Sequence, residues 1–301
     1  MPRPVCLPAL ALIAASVAAC SPRQFGIARM ADALTATAGA FATDPDPEFV
    51  RHAAPATLKM VEMLLEEQPA HPGLLLAACR GFTQYAYAFL QVDSEIAQAS
   101  DPGLARELRG RAARMYDRAR GYCLRALELR HTGSRDAIAN DPAAALGRAT
   151  AADIPVLYWT AAALGGSVAL DEAPLHRLGD VAAARGLLAR ALALDQTWGS
   201  GAIHEALIVV EGLPRLLGGS PARARRHFER AVDLSGGKSA FAYLTMAASV
   251  AEPAGETDEY VRLLQAALAI DVNERPDLRL ANLIAQRKAR YLLRVMLKAE
   301  G

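Results

Sequence analysis

Residues 184–194 read Ala184-Arg185-Gly186-Leu187-Leu188-Ala189-Arg190-Ala191-Leu192-Ala193-Leu194. Ala184, Leu187, Leu188, Ala191, Leu192 and Leu194 share one face of an α-helix, whose period is 3.6 residues. The pattern recurs at Ala119/Tyr122/Cys123/Ala126/Leu127/Leu129, Ala224/His227/Phe228/Ala231/Val232/Leu234 and Tyr260/Leu263/Leu264/Ala267/Leu268/Ile270. The aligned alanines Ala126, Ala191, Ala231 and Ala267 are 65, 40 and 36 residues apart. A small residue there lets a neighbouring helix approach closely. The pattern predicts second helices of tetratricopeptide-like hairpins, whose ideal period is about 34 residues. The excess spacing predicts insertions, the largest between residues 130 and 178.

First helices fit between these segments, at about Pro72–Gln91, Ile154–Leu170, Gly201–Leu217 and Lys238–Val250. Breakers bound them: Gly133-Ser134, Asp141-Pro142, Leu178-Gly179-Asp180, Gly218-Gly219-Ser220-Pro221, Ser235-Gly236-Gly237 and Glu252-Pro253. Ser220-Pro221 and Asp101-Pro102 have the form of an N-cap followed by proline at the first helical position. Two further helices are expected before the array, at about Gln24–Phe41 and Pro47–Glu67, and one after it, at about Asp277–Lys298. No segment alternates long enough to predict a strand. The expected fold is all-α, an α–α superhelix of degenerate hairpins. Residues 20–301 form one helical-repeat domain in this reading.

Composition agrees. Of 301 residues, 52% are hydrophobic, 6% aromatic and 22% charged. A core of Ala and Leu, both strong helix formers, is implied. Disorder, collagen and a disulfide-dense scaffold are excluded. Lys plus Arg number 33 against 32 Asp plus Glu, which leaves no global field to recruit nucleic acid.

Met1 to Val17 carries one cation, Arg3, and no acid; Leu7 to Val17 is almost wholly apolar. This layout reads as a secretory signal. Val17-Ala18-Ala19-Cys20 resembles the lipobox of bacterial lipoproteins. That resemblance implies removal of residues 1–19, lipid on Cys20 and a membrane anchor. An ordinary signal peptide with an incidental cysteine is the alternative. Ser21, where Asp would suggest inner-membrane retention, favours the periplasm-facing outer membrane. Loss of Arg3 leaves the mature chain formally neutral. Cys79 and Cys123 then remain, either paired or as buried thiols.

The uncharged stretch Ile154–Leu170 is short for a membrane span, which needs about 20 residues. Pro155, Gly165 and Gly166 make it a poor one, so a buried first helix is expected. The histidines, His52, His71, His131, His176, His204 and His227, form no metal-ligand spacing. No phosphate loop occurs, and Gly199-Ser200-Gly201 is too tight for a nucleophile elbow. No metal, cofactor or catalytic group is expected, and the protein is not read as an enzyme. Gln84-Tyr85, Tyr87, Tyr158-Trp159 and His204 lie on first helices, which line the concave face of such arrays. The arginine-rich run Arg106–Arg130, interspersed with Glu107, Asp117 and Glu128, reads as a solvated outer face.

Several strings then occur in order: Tyr158-Trp159; Leu194-Asp195; Gly201 to His204; Leu213-Pro214 with Leu217-Gly218-Gly219; Ala224-Arg225-x-His227-Phe228-Glu229-Arg230-Ala231; and Arg279-Leu280-Ala281-Asn282. In that order and spacing, over roughly residues 25–298, the chain resembles the T-component family of tripartite ATP-independent periplasmic (TRAP) transporters. The resemblance implies a periplasmic lipoprotein that docks a periplasmic solute-binding protein. It also implies a homo-oligomer, a trimer by that analogy, and an internal cavity for a small apolar or organic-acid solute. By matching strings, Tyr158, Trp159, His204, Arg279 and Asn282 would line the cavity. The rival expectation is a lipid-anchored tetratricopeptide scaffold for assembly of an envelope complex. A scaffold would pack those side chains against neighbouring hairpins.

Overall fold

The computed structural model describes Gly26, residues 29–32, 39–171 and 177–300. The expected signal peptide, Cys20 and most of the helix expected at Gln24–Phe41 lie outside the described residues. Among those described there is no strand. Ten long helices organise them: α1 (Pro47–Glu67), α2 (Pro72–Tyr85), α3 (Pro102–Arg130), α4 (Ile154–Leu170), α5 (Leu178–Leu194), α6 (Ala202–Gly212), α7 (Pro221–Ser235), α8 (Ala240–Met246), α9 (Thr257–Ala269) and α10 (Arg279–Glu300).

The helix starts follow local rules. Asp46, Asp101 and Ser220 each accept hydrogen bonds from backbone N–H groups of the first turn, with proline next in sequence. His71 Nδ1 accepts from the Leu74 N–H at 3.2 Å in the same arrangement before Pro72. Each cap satisfies a donor that the helix cannot, and the proline has no donor to satisfy.

Helix ends differ from expectation in three places. The segment expected as Gly201–Leu217 stops at Gly212, because the residue before Pro214 resists helical geometry. The stretch after Tyr85 continues as a π-helical turn, Ala86–Gln91, and then as Val92–Ala97. A second π-helical turn, Ala247–Ala251, extends α8. The large insertion holds two short helices, Ser134–Ala137 and Pro142–Leu146.

Consecutive helices pack as α2 on α3, α4 on α5, α6 on α7 and α8 on α9. The aligned Ala191, Ala231 and Ala267 are fully buried and Ala126 nearly so. Close approach is strict at Gly166 of α4, where a Cβ would lie 2.2 Å from the Tyr116 ring. Tyr116 in turn donates its hydroxyl to Gln91 Oε1 at 2.8 Å, which satisfies its buried polar tip. Cys79 and Cys123 form a disulfide that ties α2 to α3. That bond decides between the two alternatives.

Ala151–Leu170 is long and apolar enough to cross a membrane, but most of it is buried inside the protein. It lies between α3 and α5, so α4 is a core helix. The first helices α2, α4, α6, α8 and α10 touch in that order, and α10 reaches back to α1 and to Val92–Ala97. At this seam Leu280 N–H donates to Ala42 O at 3.0 Å. Arg51 Nη1 donates to Asp93 Oδ2 at 2.5 Å. Arg287 meets Asp93, and Lys288 meets Glu95, each as an ion pair at 2.6 Å.

Candidate functional site

The N-terminal turns of α4, α6, α8 and α10 converge. Asn282 in α10 accepts a hydrogen bond from the Ala240 N–H that opens α8. Ser239, just before α8, donates its hydroxyl to Glu205 in α6. The charge of Glu205 reaches Tyr158 in the first turns of α4.

Each element is held in position. Asp153 fixes the start of α4: it accepts from Thr150 N–H at 2.8 Å and from Arg130 Nη1 at 2.7 Å. Trp198 arrives on a turn in which Gly199, Ser200 and Gly201 have φ of 62°, 55° and 102°. Three consecutive left-handed residues suit glycine; Ser200 is held there at a cost. Arg275 Nη2 donates to Ser200 Oγ at 3.0 Å and anchors the turn.

The Tyr158 ring sits between two indoles. Its centroid is 5.0 Å from Trp159, edge to face, and 4.9 Å from Trp198. Tyr158, Trp159, Trp198 and Glu205 are all half-buried. Yet desolvation pushes the Glu205 carboxyl up to about 7, only partly offset by the Ser239 hydrogen bond. Desolvation, then the charge of Glu205, raises the Tyr158 phenol.

The cations at this end are already engaged. Lys238 pairs with Glu274, and Arg275 with Asp277 at 2.7 Å. The only hydrogen bond to Glu205 among the described residues is that from neutral Ser239.

The five residues singled out in the sequence occupy different environments. Tyr158 and Trp159 are together in the aromatic cluster. His204 turns away from it: it is 5% exposed, and its Nδ1 lies 2.9 Å from His227 Nδ1 in α7. One ring must donate and the other accept, so the two cannot both be protonated. Desolvation first, then His227, lowers His204 to about 4. Asn282 is 1% exposed and spends both ends of its amide on the backbone around α8, donating to Lys238 O at 2.9 Å. Arg279 donates to Thr43 O at 2.8 Å and holds the seam. Trp198, Glu205 and Ser239 were not among the expected residues. Trp198 had a usable signal, as one of only two tryptophans in the chain.

The match to a TRAP transporter T-component family model spans residues 43–298. The chain belongs to the TRAP transporter T-component family. This T-component also resembles an uncharacterized protein of Treponema pallidum (strain Nichols), at 28% identity over 257 residues, 84% of this chain and 80% of the relative. Membership associates the chain with a TRAP transporter. Every element of the convergent end, from Tyr158 to Asn282, lies inside the matched span. Among the described residues, no group of three or more His, Cys, Asp or Glu could hold a metal.

Proposed function

We propose that the protein is the lipid-anchored, periplasm-facing accessory subunit of a TRAP transporter. It docks a periplasmic solute-binding protein and binds or relays a small solute through its helical array. The family match over residues 43–298 carries this reading. Lipid on Cys20 tethers the chain, at the outer membrane in preference to the inner. The subunit works as a homo-oligomer, and no covalent chemistry is required of it.

The decisive experiment is affinity capture with the solute-binding protein of a TRAP transporter from the same organism. A complex at micromolar concentration is expected; its absence refutes docking. For the tether, Cys20→Ser should move the protein from the membrane to the soluble fraction. Unchanged fractionation and an unacylated N-terminus refute it.

A further inference from the structure

We infer that the exposed apolar stripe of α1 lies on the phospholipid surface to which Cys20 tethers the chain, with the groove beside it open to anionic headgroups. The inference rests on the tether proposed above. It goes beyond that reading by naming the face that meets the bilayer.

Three observations carry it together. The first is the stripe. Phe49, Ala53, Ala56, Met60 and Met63 recur at the spacings of one helical face of α1. Phe49 is 63% exposed, Met60 48% and Met63 64%. The other side of the same helix buries Val50, Leu58, Val61 and Leu65. A surface helix ordinarily keeps its outer face polar. One exposed apolar residue is unremarkable, but a contiguous row marks a surface for a partner or a membrane.

The second is where the anchored end of the chain arrives. Arg29 follows Cys20 by nine positions. An extended chain covers at most about 3.6 Å per residue, which keeps Arg29 within about 32 Å of the acylated cysteine. Residues 29–32 lie against the end of α1. Ala31 is fully buried in the cluster that holds Leu58, Val61, Leu64 and Leu65. Asp32 meets His71 at 3.4 Å, just past the last turn of α1. Met30, between Arg29 and Ala31, is 53% exposed and adds to the apolar surface there. The tether therefore brings this end of the array to the bilayer.

The third is a groove of about 290 Å³ between α1 and α3, lined by Lys59, Glu62, Glu66, Arg118, Tyr122 and Arg125. Its buried acid is already satisfied. Glu62 accepts from Lys59 Nζ at 2.8 Å and from the Tyr122 hydroxyl at 2.9 Å, and pairs with Arg118 at 3.2 Å. Three cations against two acids leave the groove positive. Arg111 and Arg114, exposed on α3 and without a partner among the described residues, extend that charge. An apolar row edged by cations suits the headgroup layer of an anionic membrane. A two-fold contact with a second copy through this face would instead set arginines against arginines.

The test is hydroxyl-radical footprinting of the acylated protein in vesicles of phosphatidylethanolamine and phosphatidylglycerol, against the soluble Cys20→Ser chain without lipid. Exposed thioethers oxidise readily, so Met60 and Met63 report directly. With Phe49, they should react at least about threefold more slowly in the vesicles. Leu216, 84% exposed between α6 and α7, should react equally in both. Replacing phosphatidylglycerol by neutral phosphatidylcholine should weaken the protection about twofold. Equal protection in both lipids would overturn the headgroup assignment. Met60→Glu combined with Met63→Glu alters only exposed side chains and should restore oxidation of Phe49 in the vesicles; circular dichroism checks its fold.

Oxidation of α1 at the soluble rate in an acylated, vesicle-bound protein would overturn this inference and leave the tether standing. A protein without acyl mass would refute the tether first, and this inference with it. Protection that appears without lipid and grows with protein concentration would assign the stripe to a second copy and overturn the membrane face.

Discussion

Two places on the inner helices hold acids, and they treat them oppositely. At the seam, Asp93 lies between Arg51 and Arg287, and Glu95 meets Lys288. At the convergent end, Glu205 has one neutral hydroxyl for company. The seam acids are spent on holding α10 against the start of the array. Glu205 holds only Ser239, a bond that a neutral side chain could make as well. The difference separates an acid held by cations from one held by a neutral hydroxyl.

The largest test of that contrast is Asp93→Ala. It removes the carboxylate that Arg51 and Arg287 share, leaving Arg51 with Glu48 and the Phe89 carbonyl, and should cost about 3 kcal/mol in urea unfolding. A loss below about 1 kcal/mol would make the seam an ordinary surface ion pair.

Acidification should come next in size. His204 and His227 have lowered pKa values, so the folded state binds their protons less readily than the unfolded chain. Stability contributed by the neutral pair is present above about pH 6.5 and lost as pH falls toward 4. A loss of about 2 kcal/mol is expected by calorimetry. In His227→Gln the amide can still bond His204, and only part of that slope should vanish, because desolvation is the first cause of the lowered His204 pKa.

The smallest effect has the opposite sign. The Glu205 carboxyl is raised to about 7 in the fold against about 4.3 unfolded. Its burial therefore costs nothing below about pH 4, costs more as pH rises to 7, and stays constant above. Glu205→Gln should gain about 1 kcal/mol at pH 8 and nothing at pH 4. Loss of stability at pH 8 would make Glu205 as structural as Asp93.

Legibility followed the same division. The helices are legible because burying an apolar stripe at period 3.6 is a local demand, and it places Ala191 and Ala231 in the core. Ile154–Leu170 was readable because its bounding acids, Asp153 and Asp171, mark both ends. The π-helical turns were not, since neither Ala86–Gln91 nor Ala247–Ala251 carries a glycine or proline to mark a break. The same limit separated the site residues. Tyr158 and Trp159 are adjacent in sequence, but Trp198 joins them from 39 positions beyond Trp159. His204 drew the eye as a histidine on an apolar helix, while Glu205, one residue on, points about 100° away. Only the fold sets His204 against His227 and Glu205 against Ser239.

The seam has a consequence for how the molecule comes apart. Open repeat arrays fray from their ends, because terminal units have one neighbour instead of two. Here Arg279 bonds Thr43 across 236 positions, so the ends cap one another. The entropy of joining them is modest, since stacking the hairpins has already brought them close and closure cost grows only logarithmically with length. Such a circuit has no preferred place to start unzipping. It should melt in a single transition, and cutting it once, anywhere, should turn it into a chain that frays.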